Sequence, residues 1–281
     1  MKQKRVAAIH DISGFGKCSL TVALPIISAA GIETSVIPTS VLSTHTSGFE
    51  GYTFLDLTDE ILKIAEHWHK LGLHFDAVYT GFLGSAEQIE IVCRIIDLIA
   101  SDDTVVIVDP AMADNGKLYP CFDSEFPSHM KTLCARADIM LPNITEASLL
   151  LDTQYLPAPH SHEYIESLLR GLHELSSRDV VLTGVDYDGE SLGAACYFGD
   201  KLYFTAHEKI PRSFHGTGDV FASAFVAALE NGNTRERCAD IAVAFTCRSI
   251  LKTIENNPER QYGVNFEQAI PSLLSNLGLT D

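Results

Sequence analysis

Six short runs rich in valine and isoleucine constrain this chain more than any other feature. They lie at residues 5–10, 34–38, 76–81, 104–109, 138–142 and 179–185. They show little of the alternation expected of a half-buried strand. Strands of this kind are covered on both faces, as in parallel sheets with helices packed above and below. The stretches at 19–30, 59–71, 86–101, 145–151, 163–176, 219–231, 235–253 and 266–276 read as helices. Residues 192–198 and 201–207, joined by Gly199-Asp200, read as a hairpin. The expected class is α/β, with a mostly parallel central sheet. A chain of 281 residues can form one large domain of this type or two small ones. No repeat, low-complexity block or linker divides it, so a single domain over 1–281 is expected.

Doubly wound sheets bind ligands beyond the carboxyl ends of their strands. That rule gathers residues 11–16, Gly81-Phe82, Asp109-Pro110, Asn143 and Thr183-Gly184 at one edge. The net charge of −17 argues against partners that need a basic face, whether nucleic acid or an anionic membrane. An anionic cofactor must then be held by local cations, Mg²⁺ or helix N-termini. No apolar run approaches membrane-span length, and the start lacks the long apolar stretch of a signal peptide. Seven scattered cysteines without CxxC point to free thiols in a reducing compartment, the cytoplasm.

The glycine-rich stretch DISGFGKCS at 11–19 resembles a phosphate loop but is not one. A Walker loop would need glycine where Asp11 stands and Ser or Thr where Cys18 stands. Phosphate chemistry is better placed at FHGTGDVFASAF, residues 214–225. There Gly216, Thr217 and Gly218 precede an apolar helix, so backbone N–H groups and the helix dipole can face an anion. Asp219 beside them can act as a general base for a hydroxyl. The competing reading is a helix cap with turn glycines. Asp109 and Asp114 follow one strand, with Tyr119 beyond. Asn143 and Glu146 follow the next. One or two such carboxylates suffice for a hydrated Mg²⁺, although Asn143 and Glu146 also have capping-box spacing. Thr183 ends a strand where its hydroxyl can meet a phosphate. Lys17 reads as a solvated helix residue, and Cys18 and Cys247 as buried small side chains. His67, Trp68 and His69 read as structural, and His160 and His162 lack partners at zinc spacing.

These motifs, in this order, resemble the ribokinase-like superfamily and within it the pyridoxal/pyridoxamine kinases. GTGD at 216–219 is similar to the superfamily's anion hole and base. DPAMADNGKLY at 109–119 is similar to the D-P-x-x-x-D…G…Y segment, and PNITEA at 142–147 to P-N-x-x-E-A. STHTSGF at 43–49 resembles the segment beside the vitamin ring and maps onto His45 and Thr46. TGF at 80–82 matches T-G-Y, with Phe82 in place of tyrosine. The opening departs from the pattern: His10 and Asp11 stand where the vitamin kinases begin with serine. The D-I-S-G that contains Ser13 instead looks like the opening of hydroxymethylpyrimidine kinases.

The resemblance implies a three-layer α/β/α fold and ATP-dependent phosphorylation of pyridoxal, pyridoxine or pyridoxamine. Residues His10, Asp11, Ser13, His45, Thr46 and Phe82 would form the ring site. Asp109, Asp114, Tyr119, Asn143, Glu146 and Thr183 would serve the nucleotide. Mg²⁺ would be held near Glu146 and Asp109 through water, and a monovalent cation such as K⁺ is a further candidate cofactor. Residues 112–121 would form a flap, and the assembly would be a homodimer. The alternatives are a hydroxymethylpyrimidine kinase, an enzyme for both rings, and a non-catalytic B6-binding protein.

Overall fold

The computed structural model describes residues 3–176, 178–257, 259 and 262–280. The first half of the chain forms β1 (Arg5–Ser13), α1 (Leu20–Ala29), β2 (Glu33–Leu42), β3 (Phe54–Asp56), α2 (Thr58–Lys70), β4 (Ala77–Thr80) and α3 (Ala86–Ile99). There follow β5 (Val105–Val108), the short β6 (Ala113–Asp114) and β7 (Lys117–Leu118), α4 (Phe126–Cys134), β8 (Ile139–Met140), α5 (Ile144–Leu150) and α6 (His162–Ser176). The last part contains β9 (Asp179–Val185), β10 (Ser191–Phe198), β11 (Lys201–Glu208), α7 (Thr217–Glu230) and α8 (Arg235–Asn256). A 3₁₀ turn at Phe266–Gln268 leads into α9 (Ile270–Leu277).

Among the described residues, one nine-stranded sheet runs in the order β11-β10-β9-β8-β5-β4-β1-β2-β3. Its six central strands are parallel. The hairpin β10–β11 closes one side antiparallel, and β3 the other. Alternate strand residues feed two separate cores. Val6, Tyr79, Ile107 and Val181 pack with α1, α7 and α8. Ile9, Val78, Val108 and Leu182 pack with the layer from α2 to α6. Burial on both faces is why the strands are apolar along their length.

The differences from sequence expectation have local causes. Strand β1 continues three residues past His10, through an irregular register between His10 and Ile12. Helix α4 is not among the helices expected from sequence, and its early residues include Pro127. It sits in the helix's first turn, where its missing N–H costs nothing. Strands β3, β6 and β7 are too short to show a period. Helix α7 starts at Thr217, because Gly216 caps it with a left-handed φ of 76°. The span expected as one helix at 266–276 is a 3₁₀ turn and a new helix with Pro271 in its first turn. Lys17 is not a helix residue. It sits in the loop before α1 at φ 59°, pairs with Glu267 at 2.5 Å and lies over the Phe266 ring. Among the described residues no helix is long and apolar enough to cross a membrane.

Phe225 on α7 is wholly buried in the first core. Phe225→Ala is expected to lower the unfolding free energy by about 3–5 kcal/mol. The change should appear as a lower urea midpoint with an unchanged slope.

Candidate active site

The strand exits open into one cleft of about 360 Å³. Its lining includes Asp11, Ser13, His45, Thr46 and Phe82. It also includes Asp109, Asp114, Tyr119, Asn143, Glu146 and Thr183, together with residues 216–219. Of the residues singled out from sequence, His10 alone does not line it. Its side chain is completely buried, edge-on to Tyr79 with centroids 4.4 Å apart, and neither ring nitrogen finds a hydrogen-bond partner among the described residues. A side chain at Gly81 would collide with this ring. His10 is therefore a buried spacer behind the Gly81-Phe82 turn rather than part of the cleft wall. The cause is strand alternation: Asp11 takes the cleft side, and His10 points into the core face shared with Tyr79.

The start of α7 is built for an anion. The first intrahelical bond is Val220 N–H to Gly216 O, at 3.1 Å. The amides before it lie outside the helical ladder, at the positive end of the dipole. Asp219, in the same turn, has its carboxyl pushed up to about 7, chiefly by burial and also by Asp11. The Ser19 backbone N–H, hydrogen-bonded to it, pulls the other way. Ser19 is thus a site residue that sequence reasoning missed. It is delivered by the GFGKCS loop, which returns to pair with Ile12 and requires positive φ at Gly16, Lys17 and Ser19. The Asp11 carboxylate accepts a hydrogen bond from Ser13 Oγ at 2.8 Å. Burial raises its pKa as well, against the Ser19 and Ser13 hydroxyls.

Asn143 and Glu146 form a complete capping box on α5. Asn143 Oδ1 accepts from Glu146 N–H at 2.9 Å, and Glu146 Oε2 accepts from Asn143 N–H at 2.8 Å. Glu146 Oε1 accepts from Met112 N–H at 3.1 Å, and Asn143 Nδ2 donates to Ala113 O at 2.8 Å. The pair therefore fixes the hairpin β6–β7, and Gly116 N–H donating to Thr145 Oγ1 pins its tip. Burial drives the Glu146 carboxyl up to about 8 despite these donors. Asp109 is raised well above its ordinary range by burial, Glu146 and Asp219. Among the described residues no three acidic, His or Cys side chains cage a metal. Asp109 and Glu146 fit a hydrated Mg²⁺ instead: two buried carboxylates, each raising the other's proton affinity, are relieved by a cation.

His45 has both nitrogens committed to backbone. Nδ1 accepts from Ser47 N–H at 3.1 Å, so Nε2–H donates to Tyr262 O at 3.2 Å. Burial also lowers its pKa. It offers a neutral ring to the cleft. Thr183 Oγ1 donates weakly to Pro142 O at 3.4 Å. The apolar end of the cleft, with Leu192, Phe214, Val243 and Ile250, was given no role from sequence, and neither were Cys18, His207 and His215. Cys18 is only half-buried, beside the glycine that caps α7, and Cys247 is half-buried as well.

Such a sheet, with an anion-facing glycine turn and a carboxylate at one strand edge, is the ribokinase-like arrangement. A model of the phosphomethylpyrimidine kinase family matches residues 24–264, and the chain belongs to that family. It is similar to a protein from Bacteroides thetaiotaomicron assigned to the phosphomethylpyrimidine kinases and crystallised with pyridoxal. The two are 36% identical, with 97% of this chain and 96% of that one covered and a TM-score of 0.90. Pyridoxal kinase from Lactobacillus plantarum is 28% identical over 98% of both chains, with a TM-score of 0.89. Among curated relatives, the thiamine biosynthetic bifunctional enzyme of Arabidopsis thaliana is 27% identical over 79% of this chain. The match spans 42% of that longer enzyme.

Glu146→Gln sets an amide NH₂ against either Met112 N–H or Asn143 N–H. It is expected to destabilise the protein by about 1–3 kcal/mol. Thermal or urea unfolding checks this. A stability equal to the parent's would show that the capping box contributes little.

Proposed function

We propose that this chain transfers the γ-phosphoryl of ATP to the 5′-hydroxyl of pyridoxal, pyridoxine or pyridoxamine, salvaging pyridoxal 5′-phosphate. The observation that carries this reading is the meeting of the 216–219 helix start with His45-Thr46 and Asp11–Ser13 in one cleft. The relative crystallised with pyridoxal supports it.

In this reading the vitamin ring lies among His45, Thr46, Asp11, Ser13 and Phe82. Adenine enters the apolar end beside Phe214 and Val243. Asp219 accepts the hydroxyl proton as the oxygen attacks phosphorus, and ADP leaves. The backbone N–H groups of Gly216–Gly218 meet the charge on the transferring group. Mg²⁺, held through water by Asp109 and Glu146, would supply positive charge to the polyphosphate. The hairpin β6–β7, with Asp114 and Tyr119, covers the nucleotide side and excludes water. A second copy covers the edge strand β3, where Phe54 and Leu55 are exposed. Seven unpaired cysteines suit the cytoplasm.

A hydroxymethylpyrimidine substrate is the second reading, favoured by the DISG opening and the family match. Steady-state ATP consumption with each ring compound separates the two. Binding without turnover on any ring would leave a B6-binding protein.

Asp219→Asn keeps a side chain of the same shape but removes the base. Turnover is expected to fall by about 10²–10⁴-fold, with ATP and vitamin still bound. Near-parental turnover in a folded variant would overturn the assignment.

The parent's turnover should rise with pH and level off above about 7, as the Asp219 carboxyl ionises. Its raised pKa also favours folding below the unfolded-state value and loses that contribution as pH climbs through 7. The Asn variant does not titrate. Its melting temperature should therefore gain on the parent's between pH 4 and 7, and a constant offset would contradict the shift.

A further inference from the structure

The charge inventory of the cleft is one-sided. Five carboxyl groups line it, from Asp11, Asp109, Asp114, Glu146 and Asp219, and among the described lining residues there is no lysine or arginine. A polyphosphate placed there needs positive charge beyond backbone amides. Among the described lining residues, the side chains able to provide it are His45, His207 and His215. His45 is excluded, because protonation would set an Nδ1–H against the Ser47 N–H that it now accepts. His207 lies on β11 opposite Leu192, and its Nδ1–H is committed to Glu208 O at 2.6 Å. His215 is different. It immediately precedes Gly216, is exposed at the cleft, and its ring lies 5.5 Å from that of His45. No hydrogen bond commits its nitrogens among the described residues.

Resting on the kinase reading above, we propose that His215, as an imidazolium, contacts the terminal phosphate of the bound nucleotide and is a catalytic residue of the transfer. Its position at the seam between the ring site and the anion-facing amides puts it beside the group being passed. Imidazole is the side chain that changes charge in the physiological range, and a nearby phosphate favours its charged form. Its ring neighbours that of His45, and Cys18 lies beside the next residue, Gly216. The titratable groups that share the cleft with it are Asp11, Asp109, Asp114, Glu146 and Asp219, and Arg212 lies over the Phe214 ring.

The test compares parent, His215→Gln, His215→Asn and His215→Arg by titration with the Mg²⁺ complex of a non-hydrolysable ATP analogue from pH 6 to 8.5. Asp219 and Glu146 also ionise in that window, in every protein alike, so the difference between proteins reports position 215. Parental affinity at pH 6 should exceed that of the Gln and Asn variants by about 10- to 100-fold, the range of a charge-assisted hydrogen bond. The gap should close by pH 8.5, and His215→Arg should keep tight binding throughout. Turnover of the Gln variant at pH 6.5 should fall by a similar factor. Melting temperatures should be unchanged, because the side chain is exposed. Parallel pH curves for parent and Gln variant would overturn the proposal. If the parent phosphorylates no ring compound at any pH, the kinase reading falls. The same titrations then still decide whether His215 meets the nucleotide phosphate.

Discussion

Three backbone segments approach one another too closely for side chains, and the site depends on that approach. A side chain at Gly216 would collide with the Lys17 carbonyl, one at Gly263 with the Gly16 carbonyl, and one at Gly16 with the His45 ring. All three glycines have positive φ, where an L side chain is also strained. Their contact seats the 14–19 loop against the start of α7. That seating brings the Ser19 N–H to Asp219 and turns Cys18 and Ser19 into the cleft. It also presents the Tyr262 carbonyl to His45, which fixes that ring's neutral tautomer.

The electrostatics follow from the same packing. Burial raises the proton affinity of the carboxyl groups in the cleft, and their mutual repulsion adds to it, with no lysine or arginine among the described lining residues. Such a cleft repels a bare polyanion, and a cation bound with the polyanion would relieve that repulsion. Backbone amides at the helix start contribute fixed positive charge at no cost in net charge. A protein of net charge −17 can thus receive a nucleotide without a basic surface.

Asn143 and Glu146 show how one pair of side chains serves two ends. Their capping box closes α5, while the same two side chains hold Met112 and Ala113 in the hairpin above. A helix terminus and a loop are thereby joined through shared hydrogen bonds. Sequence spacing allowed either a cap or a metal site. In the fold the cap is formed, and the carboxylate still borders the cleft, so the two roles are compatible.

The amino-acid sequence by itself determined the parallel core strands, most helices and the hairpin β10–β11. Period and composition are local properties, and burial on both faces is written into each run. It also marked the residues at the strand exits, because topology places those exits at one edge. Only the tertiary structure decided which side each residue takes. Alternation along β1 sends His10 into the core and Asp11 to the cleft. Ser19 and His215 lie inside the quoted glycine-bearing stretches without a role of their own there, and His207 and most of the apolar end of the cleft belong to no motif. They become part of the site only because α7, β11 and the 14–19 loop converge, and close packing between segments far apart in sequence leaves no periodic trace in any one of them.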